Sequence, residues 1–300
     1  MNTLKVKGYI YVLISAVGFS IVPLLAKYTL DAGMNSETML SYRFIIAGAF
    51  FLLYTRLKKT RLMIPLKQAL QLCGIGILYA LESMIFFEAF KYISPGFGQL
   101  LFQVHPLMVA LAAYVFLKEK LTWQVMTSLV LVVIGCGLLF WEPSTFVTFT
   151  GVALVLMAAA FYTTYIIVGK DLLNSIEPVV VTTYLTVSCG VFLTCYTLMT
   201  DKFMSVSSSD IVIAIGIFSV FSTIIAILAF SAGLQLLSAT VASILCALEP
   251  VITVILAYVI FGETLTWLQL VGAAFIVGSI IIIDFKTTEA VTIKNEGDLI

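Results

Sequence analysis

Ten predominantly apolar runs constrain this chain more than any other feature of its sequence. Each is about 20 residues long, the length of α-helix that crosses the hydrocarbon core of a bilayer. Lipid offers the backbone no hydrogen bonds, so only helices or a closed barrel can span it, and the runs lack the period-2 alternation of a barrel. The sequence therefore predicts an all-α polytopic membrane protein with ten transmembrane helices, at 8–26, 38–55, 69–90, 96–117, 121–140, 151–168, 178–199, 211–234, 239–261 and 265–283.

Composition supports this class. Hydrophobic residues make up 61% of the chain and charged residues 11%, whereas a soluble domain carries about a quarter charged residues. The net charge is zero, which gives no indication of a nucleic acid partner. We predict neither a disulfide, a metal site nor a cofactor, because the five cysteines lie in apolar runs without metal-ligand spacing: Cys73, Cys136, Cys189, Cys195 and Cys246.

The basic residues predict the orientation. The first apolar run ends at Lys27-Tyr28 and not at a small-residue cleavage site, which favours a retained helix over a signal peptide. With a cytoplasmic N-terminus, twelve of the sixteen Lys and Arg residues lie in cytoplasmic segments and three lie outside, while Arg43 is within a helix. Both termini and a polar tail at 284–300 are therefore expected in the cytoplasm, with a bacterial inner membrane as the expected location.

The two halves of the chain repeat each other. At an offset of 144 residues, Pro106 aligns with Pro250 and the segment 119–123 (EKLTW) aligns with 263–267 (ETLTW). At an offset of 143, Gly8 aligns with Gly151. Two five-helix repeats, 8–140 and 151–283, are predicted, and an odd number of helices per repeat makes them inverted. Inverted repeats that exchange conformations are typical of secondary transporters.

The same segments resemble the EamA repeat of the drug/metabolite transporter superfamily. The resemblance rests on a mid-span proline followed by a short connection of the Gly-Glu-x-Leu-Thr type, as in Gly262-Glu263-Thr264-Leu265-Thr266, and it covers about residues 8–283. Lys118 stands where Gly is common in that pattern. The resemblance implies a fold of five plus five inverted helices and secondary transport, often export of amino acids or related metabolites.

Two ionisable side chains are predicted at the midplane. Glu249 lies ten residues into helix 9 and His105 nine residues into helix 4, which places both roughly 14–15 Å deep in a core of about 30 Å. Each immediately precedes the mid-span proline of its repeat, where a backbone carbonyl is freed. We interpret them as lining a central substrate site from opposite repeats, the alternative being a helix-packing hydrogen bond made by a neutral His105.

Three further charged residues lie within predicted spans. Glu88 and Arg43 are at similar estimated depth near the outer side, and a structural ion pair between them is predicted. Glu82 is estimated to be deeper, with no cation at its own depth, so it is the favoured residue for binding a proton or an amine, since desolvation favours its neutral form. Glu119 and Glu263 are interpreted as capping the next helix or closing the loop.

Aromatic and small residues complete the candidate set. Among the aromatics near the predicted chamber, Phe19, Tyr79 and Tyr162 are predicted to contact substrate, and the remainder are expected to pack or to anchor at the interface: Phe86, Tyr114, Tyr165 and Tyr258. Close helix contacts are predicted at nine glycines: Gly8, Gly18, Gly48, Gly74, Gly76, Gly135, Gly137, Gly272 and Gly278.

The predicted function is secondary active transport of a small metabolite, an amino acid or related amine, by alternating access. Export and proton coupling are favoured. Uptake of an amine or a nucleoside-like metabolite is the alternative. A channel is less favoured because no pore-lining ring repeats, and so is an intramembrane enzyme because no hydrolase, zinc or nucleotide motif is present. The expected partners are lipid, substrate and protons, and the chain is expected to act as a monomer or homodimer.

Overall fold

The computed structural model describes residues 3–140, 147–206, 208–261 and 265–283, and within them it contains ten helical spans. In chain order the helices are as follows: α1, Thr3–Ser20 and Val22–Asp31; α2, Ser36–Leu57; α3, Leu66–Ala89; α4, Pro95–Phe102, His105–Ala112 and Ala113–Leu117; α5, Trp123–Leu139; α6, Phe149–Leu173; α7, Pro178–Met199; α8, Ser209–Ser219, Val220–Ile225 and Ala226–Leu236; α9, Ala239–Cys246 and Leu248–Phe261; α10, Trp267–Ile282. The ten-helix prediction is confirmed.

Eight of the described helices are long and apolar enough to cross a membrane, and the apolar helices α5 and α10 are shorter. The bounds of the ten helices differ from the predicted spans by at most five residues, and α5 and α10 each begin two residues later than predicted. The first span begins earlier than predicted and is interrupted at Ile21, two residues before Pro23, which cannot donate a backbone hydrogen bond. The predicted tail at 284–300 lies outside the described residues.

The repeated Leu-Thr-Trp segment is a helix start. The side chain of Thr122 accepts a hydrogen bond from the backbone N–H of Val125 at the start of α5. In the second repeat, Thr266 accepts from the N–H of Gln269, whose side chain accepts from the N–H of Thr266 in return. Each threonine satisfies a helix N–H that would otherwise lack a partner, which explains why the segment occurs once per repeat.

Glu119, which precedes the first of these starts, has a different role from the predicted one. Its carboxylate accepts from the backbone N–H groups of Ala239 and Thr240 at the start of α9, at 2.7 and 3.2 Å. The prediction that it caps the next helix or closes its own loop is therefore wrong, since its partner is in the other repeat. The equivalent Glu263 lies outside the described residues.

The two repeats interlock. The most extensive contacts join α1 to α8, α2 to α7, α3 to α6 and α5 to α10. Every one of these pairs takes one helix from each repeat, so neither repeat has a core of its own. The α1–α8 and α3–α6 pairs exchange under the repeat relationship, as expected of a duplicated fold, and α4 and α9 pass between them.

Glycines bring α5 and α10 together. A Cβ atom on Gly135 would lie 2.8 Å from the carbonyl oxygen of Gly272, and one on Gly272 would lie 2.5 Å from that of Gly135. The hydroxyl of Ser128 also donates to the carbonyl of Ser279 across this contact, at 2.7 Å. Close approach is confirmed at six of the nine predicted glycines, but it is wrong for three that have open space around them: Gly74, Gly137 and Gly278.

The two ends of the bundle differ in charge. We call the end with the connections α2–α3, α4–α5, α6–α7 and α8–α9 the basic end, because it carries the clusters 56–67 and 118–120. The other end, with the connections α1–α2, α3–α4, α5–α6, α7–α8 and α9–α10, is called the opposite end. The basic end is the one predicted to be cytoplasmic.

Candidate functional site

The centre of the bundle is marked by breaks in α4 and α9. Helix α4 is interrupted at Gln103 and Val104, and α9 at Ala247. His105 and Glu249 follow these breaks, each ten residues after the first residue of its helix, or about 15 Å along the axis. Pro106 and Pro250 come next, and their missing N–H groups account for the interruptions. The two breaks therefore bring equivalent positions of opposite repeats to the same depth.

One ring nitrogen of His105 is hydrogen-bonded within the protein and the other is not. Its side chain is 2% exposed, and Nδ1 lies 3.0 Å from the carbonyl oxygen of Phe102. Since a carbonyl only accepts, Nδ1 carries the hydrogen, and Nε2 of the neutral ring is an acceptor. Nε2 is buried and has no hydrogen-bond partner among the described residues, so it is available to a donor on a ligand.

Gln103 is a candidate that the sequence analysis missed. It lies within the α4 break, is 3% exposed, and its Oε1 is buried without a hydrogen-bond partner in the described part of the chain. Like His105 Nε2, it is an acceptor without a donor, and such groups are rare in folded proteins. A search restricted to ionisable groups overlooks it, although an uncharged amide two residues before His105 in an apolar run was a usable signal.

Two carboxylic side chains from opposite repeats complete the polar centre. Glu82 of α3 is 7% exposed and accepts a hydrogen bond from the hydroxyl of Ser83 at 3.0 Å. Glu249 of α9 is partly exposed and lies beside the thiol of Cys246. The two carboxyl groups are close enough to interact electrostatically. Each repeat thus contributes one carboxyl group to the same region of the bundle.

Arg43 does not form the predicted ion pair with Glu88. Its Nε donates to the hydroxyl of Thr223 at 2.6 Å and a terminal nitrogen donates to the carbonyl of Ser222 at 2.9 Å, both in the π-helical turn Val220–Ile225 of α8. A π-helical turn leaves carbonyls outside the regular α-helical pattern, and the carbonyl of Ser222 in this turn accepts from the guanidinium. The rings of Phe44 and Phe218 lie against it, with centroids at 5.0 and 4.5 Å.

The depth estimate behind that prediction was in error. Arg43 lies seven residues from the start of α2 and Glu82 seven residues from the end of α3, both about 10 Å from the opposite end. Arg43 and Glu82 are also close enough to interact electrostatically, so the expectation that Glu82 has no cation at its own depth is wrong. Glu88 instead forms an ion pair with Lys91 at 2.7 Å.

Aromatic rings connect these polar groups. The ring of Tyr162 lies 5.0 Å from that of His105 and 6.2 Å from that of Tyr79. Tyr165 lies 5.1 Å from Tyr79. These tyrosines are buried, and their amphipathic rings suit contact with a ligand that has polar and apolar parts. The predicted candidates Tyr79 and Tyr162 are thus brought together with His105.

The other predicted aromatics are placed elsewhere or in a supporting role. Phe86 packs edge-on to Phe90 and lies 4.8 Å from Phe102. Phe19 is partly buried against the core, and no ring contact joins it to the tyrosine cluster within the described residues. Tyr114 and Tyr258 are 56% and 51% exposed on the outside of the bundle, as expected of residues that face lipid or its interface.

Ion pairs at the opposite end lie outside this centre. Lys202 forms an ion pair with Glu37 at 2.6 Å, and this contact raises the pKa of the Lys202 ammonium above its usual value. The hydrogen bond to Glu88 likewise raises the pKa of Lys91. The Lys202–Glu37 pair connects the end of α7 to the start of α2, whereas the Lys91–Glu88 pair lies at the end of α3 alone. Solvent-exposed pairs contribute little stability, and we assign neither pair a role in binding substrate.

The helical architecture and the family comparison define the class of protein. The sequence model of the EamA-like transporter family matches residues 6–141 and again residues 149–284, which together include nearly all of the chain. The ten helices and this double match define a polytopic membrane protein that lies in a lipid bilayer and transports small molecules. The chain belongs to the EamA-like transporter family.

Relatives and a solved structure agree with this class. The chain is 27% identical over 285 residues to the uncharacterized transporter YyaM of Bacillus subtilis (strain 168), covering 90% of this chain and 92% of that protein. It is 26% identical to an uncharacterized transporter of Archaeoglobus fulgidus, covering 81% and 86% respectively. A crystal structure superposes with a TM-score of 0.78 over 92% of this chain and 95% of its own, at 18% identity, which shows the shared fold.

Proposed function

We propose that this transporter is a secondary active carrier for a small amine-bearing metabolite, such as an amino acid, and that it exports this substrate in exchange for protons. Two observations support the proposal: Glu249 interacts electrostatically with Glu82 of the opposite repeat, and the buried acceptor of His105 has no donor among the described residues. Alternating access follows from the inverted repeats, since a site between them can open to either side.

The chemistry of the centre supports an amine. An ammonium group has three N–H donors and no acceptor. The centre offers two carboxylic side chains, His105 Nε2 and Gln103 Oε1, and the latter two acceptors have no donor among the described residues. A ligand rich in donors satisfies these groups, whereas an anionic ligand would add repulsion to the carboxylates.

An amino acid also brings a carboxylate, and Arg43 is the nearby cation. The guanidinium has five N–H donors, and two of its nitrogens donate to Thr223 and Ser222. Arg43 is also close to Tyr79 and Glu82. We infer that the substrate ammonium binds toward Glu82 and Glu249, and its carboxylate toward Arg43.

Proton coupling follows from the pair of carboxyl groups. When both are ionised they repel each other across a centre poor in water. Either a proton or a substrate cation relieves this repulsion. Competition between the two for the same pair would make substrate release on one side depend on protonation, which couples the opposite movements of proton and substrate.

Thermal stabilisation of the purified transporter across a metabolite library tests the substrate class. We expect amino acids and simple amines to raise the unfolding temperature, with a larger effect at pH 8 than at pH 6 because protons compete for the carboxylates. N-acetylated forms of the same compounds are the matched controls and are expected to have no effect. Stabilisation by acetylated or purely anionic compounds, with none by amines, would contradict the proposal.

A second prediction concerns His105. In His105→Ala the acceptor is lost, and the affinity for the best amine is expected to fall about 10- to 100-fold, the value of one hydrogen bond to a charged group. His105→Gln restores an acceptor and is expected to recover part of this loss. Binding is measured by ligand-dependent stabilisation of each variant. Wild-type affinity in both His105→Ala and Glu249→Gln would rule out the assigned site.

A further inference from the structure

The turn between α8 and α9, at the basic end, is held by two charged side chains. Lys170, near the end of α6, donates from Nζ to the carbonyl oxygens of Leu234, Gln235 and Leu237 at 2.9, 3.2 and 2.8 Å. An ammonium has three donors, and all three are used: two on carbonyls in the last turn of α8 and one on the carbonyl of Leu237, just after the helix. Cationic groups are favourable at this end of a helix because of the helix dipole.

Glu119 makes the complementary contact two residues further along the chain, at the start of α9. Its Oε1 accepts from the N–H of Ala239 and its Oε2 accepts from the N–H and the hydroxyl of Thr240, the latter at 2.6 Å. A carboxylate at a helix N-terminus interacts favourably with the dipole and with N–H groups that have no helical partner. The carboxylate is buried, so water competes little for these bonds.

These contacts differ in what they join. Lys170 and the α8–α9 turn both belong to the second repeat, whereas Glu119 belongs to the first. The bonds of Glu119 therefore cross the interface between the repeats. Any movement that separates the first half of α9 from the α4–α5 connection must break them.

The surrounding packing shows that this end of the transporter is closed. All eight residues of Ala239–Cys246 are buried, and this half of α9 packs against His105–Ala112 of α4 and against α5. At the opposite end, the equivalent half of α4, Pro95–Phe102, is mostly partly exposed. Among the described residues it forms no comparable contact with Leu248–Phe261. Two segments related by the duplication are thus in different environments.

We propose that Glu119 is a positioning residue of the transport cycle, which holds the basic end closed by binding the start of α9 across the repeat interface, while Lys170 holds the end of α8. Opening toward the basic end requires release of the Glu119 bonds. The proposal rests on the alternating-access part of the proposed function and does not depend on the substrate.

Cysteine labelling of the full-length protein in detergent tests this role. Ser243 lies in the first segment of α9, at the basic end, and Gln99 lies in the first segment of α4, at the opposite end. The two positions are equivalent at the 144-residue offset, so Ser243→Cys and Gln99→Cys report the accessibility of the two ends. The background carries Cys73→Ser and Cys195→Ser, because these cysteines are not buried, and Cys246→Ser, because Cys246 lies in the same half of α9 as the Ser243 reporter. The rate of reaction with a small charged maleimide is measured at each reporter.

Glu119→Gln is expected to increase the labelling rate at Ser243→Cys about tenfold, as expected for weakened charge-assisted hydrogen bonds, and to decrease it at Gln99→Cys. Glu177→Gln is the matched control, since Glu177 is exposed at the basic end and makes no capping bond; it is expected to change neither rate. A residue with a merely structural role would not produce opposite changes at the two reporters.

Three results would overturn the proposal: no change at Ser243→Cys, an increase at both reporters together, or the same response in Glu177→Gln. If Glu119→Gln does not fold, Thr240→Val removes only the hydroxyl bond, and a smaller shift in the same direction is expected. Because labelling needs no substrate, a negative result leaves the proposed substrate class intact, and that class is tested separately by thermal stabilisation.

Discussion

Glu82→Gln is expected to abolish proton-coupled flux while leaving the transporter folded. Glu82 is buried, and its carboxyl group interacts electrostatically with the carboxyl group of Glu249 and with the guanidinium of Arg43. Glutamine keeps the size and a hydrogen-bonding oxygen but cannot bind and release a proton. In proteoliposomes, accumulation driven by an imposed pH gradient should fall to the level of empty liposomes, and any remaining flux should lose its dependence on pH.

Glu88→Gln is the matched control for this experiment, because it lies on the same helix and is paired with Lys91 near the membrane surface. Its flux should keep the wild-type dependence on pH. A monodisperse elution profile and a thermal midpoint near that of the wild type show that Glu82→Gln is folded. Unchanged pH-driven accumulation in Glu82→Gln would remove this residue from the coupling mechanism.

Gly135→Leu is expected to separate α5 from α10 and to destabilise the fold strongly. A Cβ at Gly135 already lies 2.8 Å from the carbonyl of Gly272 and 2.7 Å from the side chain of Ile276, so a larger side chain forces the two helices apart. Overpacking typically lowers the free energy of unfolding by about 1–3 kcal/mol. Because this clash is with backbone, we expect a loss of about 3 kcal/mol or more. The thermal midpoint and the yield of monodisperse protein measure the effect.

Gly137→Leu is the control for this prediction. Gly137 lies two residues along the same helix and has no atom within 4 Å of a Cβ placed on it. The substitution adds the same side chain to α5 without a clash, so little loss of stability is expected. Equal destabilisation by the two substitutions would contradict the close packing of α5 on α10.

Much of the fold was predictable from the sequence, because the bilayer imposes a length on each helix. The predicted spans 178–199 and 239–261 agree with α7 and α9 in both bounds. The duplicated prolines also placed His105 and Glu249 at one depth. These features are local or periodic, and each is encoded within a short segment or in its copy.

The features that were missed depend on contacts between distant segments. The partners of Arg43 are in a π-helical turn of α8, and no pattern in the sequence predicts this turn. Glu119 lies beside α5 in sequence but caps α9, 120 residues away. Depth estimates also shift by a turn when a helix begins or ends a few residues from its predicted bound, which is how Glu88 and not Glu82 was matched with Arg43.

Counterflow in proteoliposomes tests most directly whether two inverted repeats carry substrate through a shared central site. Vesicles are loaded with the unlabelled amine that gives the largest thermal stabilisation. A trace of the labelled amine is then added outside, and its uptake into the vesicles is followed over time. A carrier with one alternately exposed site should show transient accumulation of label, which is lost in Glu249→Gln. Equilibration of label without transient accumulation, or wild-type accumulation in Glu249→Gln, would contradict the account.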